Sequence, residues 1–114
     1  MSEPVTVAQA VEALGLTARV EANLGAVVTG GQVCDLLSHV MASGRRGEVW
    51  ITIQTHANIV AVAALAGMAA IVIAGGFQPE AETIFRAEEE EIALLVSDES
   101  AYRLAGRLYA LGVR

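Results

Sequence analysis

Between Glu48 and Glu80 the chain carries no charged residue, and from Ile59 to Ala74 it is apolar throughout apart from Gly67. Such a segment must be covered on most sides, so it fixes the centre of whatever the chain folds into. As one helix the apolar run reaches about 24 Å, short of the ~30 Å hydrocarbon core of a bilayer. Gln54, His56 and Asn58 crowd its amino-terminal side, and Gly67 falls where a helix stops. The pattern therefore predicts a helix from His56 to Ala66 capped by Thr55, a glycine turn, and a buried strand from Ala69 to Ala74. A membrane span is excluded on this reading.

The flanking sequence repeats the alternation. Glu48 to Gln54 predicts a strand, with Val49, Ile51 and Ile53 on one face and Trp50, Thr52 and Gln54 on the other. Before it, Val33, Leu36, Leu37, Val40 and Met41 make a helical stripe that places Asp35 and His39 on its wetter side. After the central strand, Pro79 suits a first helical position, and a helix through Glu90 turns Ile84 and Phe85 inward. Ile92 to Val96 predicts another buried strand. Ser97 and Asp98 then cap a last helix with Ala101, Leu104, Ala105, Leu108 and Leu111 on its apolar side. Nearer the start, Thr6 and Gln9 have capping-box spacing ahead of Val7, Ala10, Val11 and Leu14. Short strands are expected over Leu16–Ala22 and Ala26–Thr29. Strands separated by helices of this length form parallel sheets with right-handed crossovers. The expected fold is a three-layer α/β/α sandwich with a mostly parallel central sheet of about four to five strands, one domain over residues 1–114.

Composition narrows the function classes. Hydrophobic residues make up 54% of the 114 and aromatic ones 4%, so the core is built from aliphatic side chains. A net charge of −6 without a basic cluster argues against nucleic acid as a partner. Cys34 is alone, which fits a reducing, cytoplasmic setting, and Met1 to Thr6 has no apolar leader region.

Ligands of open parallel sheets bind beyond the carboxyl ends of the strands. Read from the sequence, those ends are Thr29-Gly30-Gly31, Gln54-Thr55-His56-Ala57-Asn58, Ala74-Gly75-Gly76 and Ser97-Asp98. Helix starts offer free amides to anions, and glycine lets backbone approach a ligand closely. Thr29, Gly30, Gly31, Gln54, Thr55, His56, Asn58, Gly75 and Gly76 are thus the candidate binding residues for a phosphate, nucleotide or carboxylate. The Gly30-Gly31 pair lacks the Lys-Ser/Thr of a phosphate-binding P-loop, and no G-x-G-x-x-G occurs. Asp35 and His39 have the spacing of two metal ligands but no third, so no metal and no cofactor are expected. His56 has no evident nucleophile and orienting group around it. Cys34 reads as a small buried residue. Four carboxylates from Glu88 to Glu91 crowd a helix end, where a basic partner would dock.

Three stretches resemble the DRTGG-domain family, in its short stand-alone members. They are Val28 to Ala42, Val49 to Ala63, and Ile73-Ala74-Gly75-Gly76 before Pro79, and the closing Ala105 to Tyr109 also fits. Thr55-His56 stands in the place of the family's Asp-Arg, and Ala74-Gly75-Gly76 in the place of its Thr-Gly-Gly. Only the glycines match. Glu91 stands where similar chains tend to have a helix-ending glycine. The resemblance implies a bacterial regulatory accessory domain. Related domains accompany CBS pairs in regulated pyrophosphatases, and they resemble the amino-terminal parts of phosphotransacetylases and of the protein-serine kinase acting on the sugar-transport phosphocarrier. They help build dimers or sense ligands there, and no catalytic residue carries over.

The expected function is therefore a non-catalytic regulatory or adaptor domain, homodimeric, binding a small anion or nucleotide, with a protein partner as a further possibility. Two alternatives stand beside it. One is a small phospho- or acyl-transfer enzyme using His56 with Asp98 or Asp35; the other is a purely structural dimerisation module.

Overall fold

The computed structural model describes residues 3–114; Met1 and Ser2, on which part of the leader argument rests, lie outside the described residues. Thr6 caps helix α1 (Val7–Leu14). Its hydroxyl accepts from the Gln9 amide at 3.2 Å, and the Gln9 side chain accepts from the Thr6 amide at 2.8 Å. Both bonds engage groups that a helix start leaves open. Strands β1 (Thr17–Val20) and β2 (Gly30–Val33) follow, then α2 (Leu37–Ser43) and β3 (Glu48–Thr52). The charge-free segment supplies α3 (Asn58–Ala66) and β4 (Ala70–Ile73). Helix α4 (Ala81–Glu90), strand β5 (Ala93–Val96) and helix α5 (Ala101–Leu111) complete the chain.

The strands form a 5-stranded sheet in the order β1-β5-β4-β3-β2. β2 to β5 are parallel, with Gly31 beside Val49, Ile51 beside Val72 and Ile71 beside Leu94. β1 lies antiparallel on β5, Thr17 beside Val96. Successive side chains on a strand point to opposite faces. Val49 and Ile51 therefore meet α1 and α5 together with Val72, Leu95, Leu104 and Leu108. Trp50 meets the other layer, α2, α3 and α4, with Ile71, Leu94, Val40 and Ile59. β4 and β5 are buried on both sides, as strands between two helical layers must be. The architecture is a three-layer α/β/α sandwich with one antiparallel pair in a mostly parallel sheet. Among the described residues no helix is long and apolar enough to cross a membrane.

Several local expectations are corrected. Ala26–Thr29 is not a strand; Val27 makes an isolated bridge to Thr6, and the strand begins at Gly30. Val33 closes that strand instead of opening a helix, and Asp35 lies in the loop before α2, so Asp35 and His39 do not share a helix face. Pro79 precedes the N-cap Glu80 of α4, and Ser100, not Ser97 or Asp98, caps α5. Phe85 is 59% exposed; Thr83 and Ala87 take the buried positions because they lie one turn apart on the face that meets the sheet. Thr55 caps nothing, since α3 starts later, at Asn58, with Ala57 as its N-cap.

Candidate functional site

The carboxyl ends of β2, β3, β4 and β5 share one edge, and the antiparallel β1 brings its starting residues there too. The loops along this edge are tied to one another by their polar groups. Asp35 Oδ1 accepts from the Thr52 hydroxyl at 2.7 Å and from the Ile53 amide at 2.9 Å. The Gln54 side-chain amide donates to the Asp35 carbonyl at 3.0 Å, and the Trp50 indole N–H donates to the Cys34 carbonyl at 2.8 Å. Thr55 offers its carbonyl to the Thr83 hydroxyl at 2.7 Å and to the Glu80 amide at 3.2 Å, anchoring the start of α4. His56 accepts at Nδ1 from the Asn58 amide at 3.2 Å. That bond takes up a free donor at the α3 start.

Gly75 and Gly76 turn the chain after β4 with φ of 80° and 83°, a region that side chains avoid. Their amides do not point into open space. Gly75 donates to the Glu99 carbonyl at 2.8 Å and Gly76 to the Ser97 carbonyl at 3.0 Å. The two amides that a phosphate cradle needs are therefore engaged by the loop after β5.

The concavity at this edge lies on the β5 side. A groove of about 450 Å³ is lined by Thr17, Arg19, Gln78, Ser97, Asp98 and Glu99. Arg19 donates to the side-chain oxygen of Gln78. Glu99 is held by Arg107 and by Arg103 at 3.5 Å, and Arg107 also reaches the Ala13 carbonyl at 2.8 Å near the end of α1. Asp98 approaches Gly76, whose Cβ, if it had one, would stand 3.4 Å from the carboxylate.

Of the residues singled out from sequence, Gln54, Thr55, His56 and Asn58 share the carboxyl edge with Gly75 and Gly76. Thr29, Gly30 and Gly31 do not. Gly30 pairs with Glu48 and Gly31 with Val49, at the amino end of the parallel strands, and the Thr29 hydroxyl donates to the Arg46 carbonyl at 2.7 Å. That trio sits on the opposite edge of the sheet because the glycines open a strand rather than end one. Among the described residues no hydrogen bond or ion pair joins His56 to Asp35 or Asp98, and no group of three His, Cys, Asp or Glu side chains is placed to hold a metal. The sequence reading reaches Ser97-Asp98 as a strand end but misses Arg19 and Gln78. Arg19 comes to the site only through the antiparallel return of β1, which no local pattern announces.

The family profile described as the DRTGG domain matches residues 6–111. No curated relative matches the sequence. Among solved structures, the chain is similar to a crystal structure of the CBS and DRTGG domains of the regulatory region of Clostridium perfringens pyrophosphatase, complexed with its activator, diadenosine tetraphosphate. The TM-score is 0.73 at 17% identity, over 90% of this chain and 45% of that one, so the likeness is one of fold. This chain spans less than half the length of that regulatory region. With the profile matching nearly the whole chain, the chain belongs to the DRTGG domain family.

Proposed function

We propose that the chain is a non-catalytic, cytoplasmic regulatory domain that acts as a homodimer and binds a nucleotide or other small anion at the carboxyl edge of its sheet. The observation that carries the ligand half is the Arg19–Gln78–Asp98 groove. Arg19 is held by a neutral amide instead of a carboxylate, so its charge remains available to a phosphate. Asp98 on the other side is an acceptor suited to ribose hydroxyls. The loop from Gln54 to Asn58, with its exposed His56, is the next stretch of the same edge and suits the far end of an extended ligand. A regulatory region of related fold is complexed with a dinucleotide activator, which supports the ligand class. The reading as a non-enzyme is supported by the separation of His56 from a carboxylate partner and by the internal engagement of the Gly75 and Gly76 amides.

Thermal unfolding with ATP, ADP, diadenosine tetraphosphate and inorganic phosphate tests the reading. A ligand at a hundredfold its Kd stabilises by about 2.7 kcal/mol, several degrees for a chain of this size. Arg19→Ala is expected to leave the ligand-free Tm within a degree or so and to abolish the ligand-induced rise. No rise with any of the four compounds overturns the ligand half and leaves the structural dimerisation module in its place. Turnover of ATP or an acyl phosphate that is lost in His56→Ala overturns the non-catalytic half.

A further inference from the structure

An outer helix of a layered fold normally turns a polar face to water. α3, the middle helix of its layer, has none. It contains no charged residue, and its outward positions include Ala61 and Leu65, the latter 76% exposed. Its small side chains leave a groove of about 400 Å³ against α4, walled on the α4 side by Arg86, which pairs with Glu82 of its own helix, and by Glu89 and Glu90. The opposite flank of α3 is basic. Arg46 lies beside the end of the helix, its Cβ and Cγ 3.6 Å from where a Gly67 Cβ would stand, and Arg45 precedes it. Both arginines are exposed, and among the described residues neither joins an ion pair. Because α2, α3 and α4 each return from the carboxyl to the amino edge of the sheet, they run parallel. The arginine pair and the glutamate pair therefore lie at the same end of the layer, on opposite sides of an apolar ridge.

We propose that this face joins two copies of the chain about a two-fold axis running along α3, a deepening of the homodimer reading above, on which it rests. Rotation about that axis keeps the helix direction and exchanges the flanks. Arg45 and Arg46 of each copy then face Glu89 and Glu90 of the other, while Leu65 meets Leu65 of the second copy at the same height along the two helices. Such an isologous contact is complementary to itself and closes as a dimer. The alternative two-fold, perpendicular to α3, lays acidic α4 on acidic α4 and is disfavoured by like charge. Guanidinium groups from the second copy also counter carboxylates at a helix C-terminus, where the macrodipole disfavours them. With molecular extents of 39 × 26 × 24 Å, the layer is broad enough for the ~1,000 Å² that a specific interface buries. Val33 and Ile53, also exposed, form a competing apolar surface at the edge strand β2 and the end of β3.

Sedimentation across micromolar concentrations, at low and high salt, tests the proposal. The wild-type chain is expected to be a dimer that weakens with salt, and Leu65→Glu a folded monomer. Reversing the arginines (R45E with R46E) or the glutamates (E89R with E90R) is expected to weaken the dimer about tenfold or more, the scale of a close interfacial charge pair. Combining both reversals restores it. Circular dichroism confirms that each variant is folded, which is expected because every substituted side chain is exposed. A dimer that survives Leu65→Glu, or that dissociates in Val33→Glu with Ile53→Glu instead, keeps the homodimer and overturns this surface. Loss in both reversals without rescue overturns the two-fold geometry. A wild-type monomer throughout removes the homodimer reading itself.

Discussion

Glu91 ends α4 with φ 55°, in the left-handed region, and its amide closes back on the Glu88 carbonyl at 3.2 Å. A Cβ there costs on the order of 1 kcal/mol relative to glycine, and a fourth carboxylate at a helix C-terminus adds a smaller penalty. Glu91→Gly is expected to raise stability by about 0.5–1 kcal/mol, read as a higher urea midpoint at unchanged m-value. Glu91→Ala separates the causes: it removes the charge but keeps the Cβ, and is expected to gain no more than a few tenths of a kcal/mol. Equal gains from both variants would assign the cost to charge and not to backbone. Gly75 and Gly76 show the opposite case, glycines that the turn requires and whose amides are nonetheless committed within the protein. Residue type alone reports the turn. It does not report where the freed amide points.

At the level of elements, Asp35 joins the loop after β2 to the end of β3. Thr52 is buried at 1% exposure, and its hydroxyl donates to the Asp35 carboxylate. Asp35→Ala removes the acceptor of that hydroxyl and of the Ile53 amide, and is expected to cost about 1–3 kcal/mol. Asp35→Asn keeps an oxygen acceptor and should lose less than half as much; urea denaturation of the pair decides it, and indistinguishable midpoints would remove the role given to the carboxylate. This tie also shows which parts of the fold are legible. The parallel strands from Glu48 onward follow from continuous apolar runs, because each is buried on both faces. α4 and α5 follow from helical periodicity; α3 is marked instead by the length of its apolar run and by Gly67. β2 is not legible, since Gly30 and Gly31 carry no strand propensity and read as a turn. They form a strand through their pairing with Glu48 and Val49 of β3, a contact that no local pattern announces. One misplaced strand moved Thr29, Gly30 and Gly31 to the wrong edge and put Asp35 on a helix. The Gln54–Asn58 and Gly75–Gly76 part of the edge was legible from strand ends alone. Arg19 was not, because its position depends on a strand pairing distant in sequence.

Across the whole molecule, two apolar layers pack on opposite faces of one sheet. The α1–α5 layer packs on Val49, Ile51, Val72 and Leu95; the α2–α4 layer packs on Trp50, Ile71 and Leu94. Neither face of the sheet can stay covered if the strands between them separate, so the chain should unfold as a single unit and act as a single domain. Trp50 is the one tryptophan and is fully buried against α2–α4, so its fluorescence reports on that layer alone. Leu104, also fully buried, belongs to the other layer. Leu104→Ala should cost about 2–5 kcal/mol. At fixed protein concentration, the Trp50 midpoint and the far-ultraviolet circular dichroism midpoint are expected to fall together by the same amount. Were α1 and α5 able to detach by themselves, the variant would show an early loss of ellipticity with the Trp50 transition left at its wild-type position. The coupling predicted instead runs through alternate residues of β3. Val49 and Ile51 cannot lose their cover without disturbing the strand that places Trp50, and this is how a perturbation at the α5 face would reach the α3 face proposed as the dimer contact.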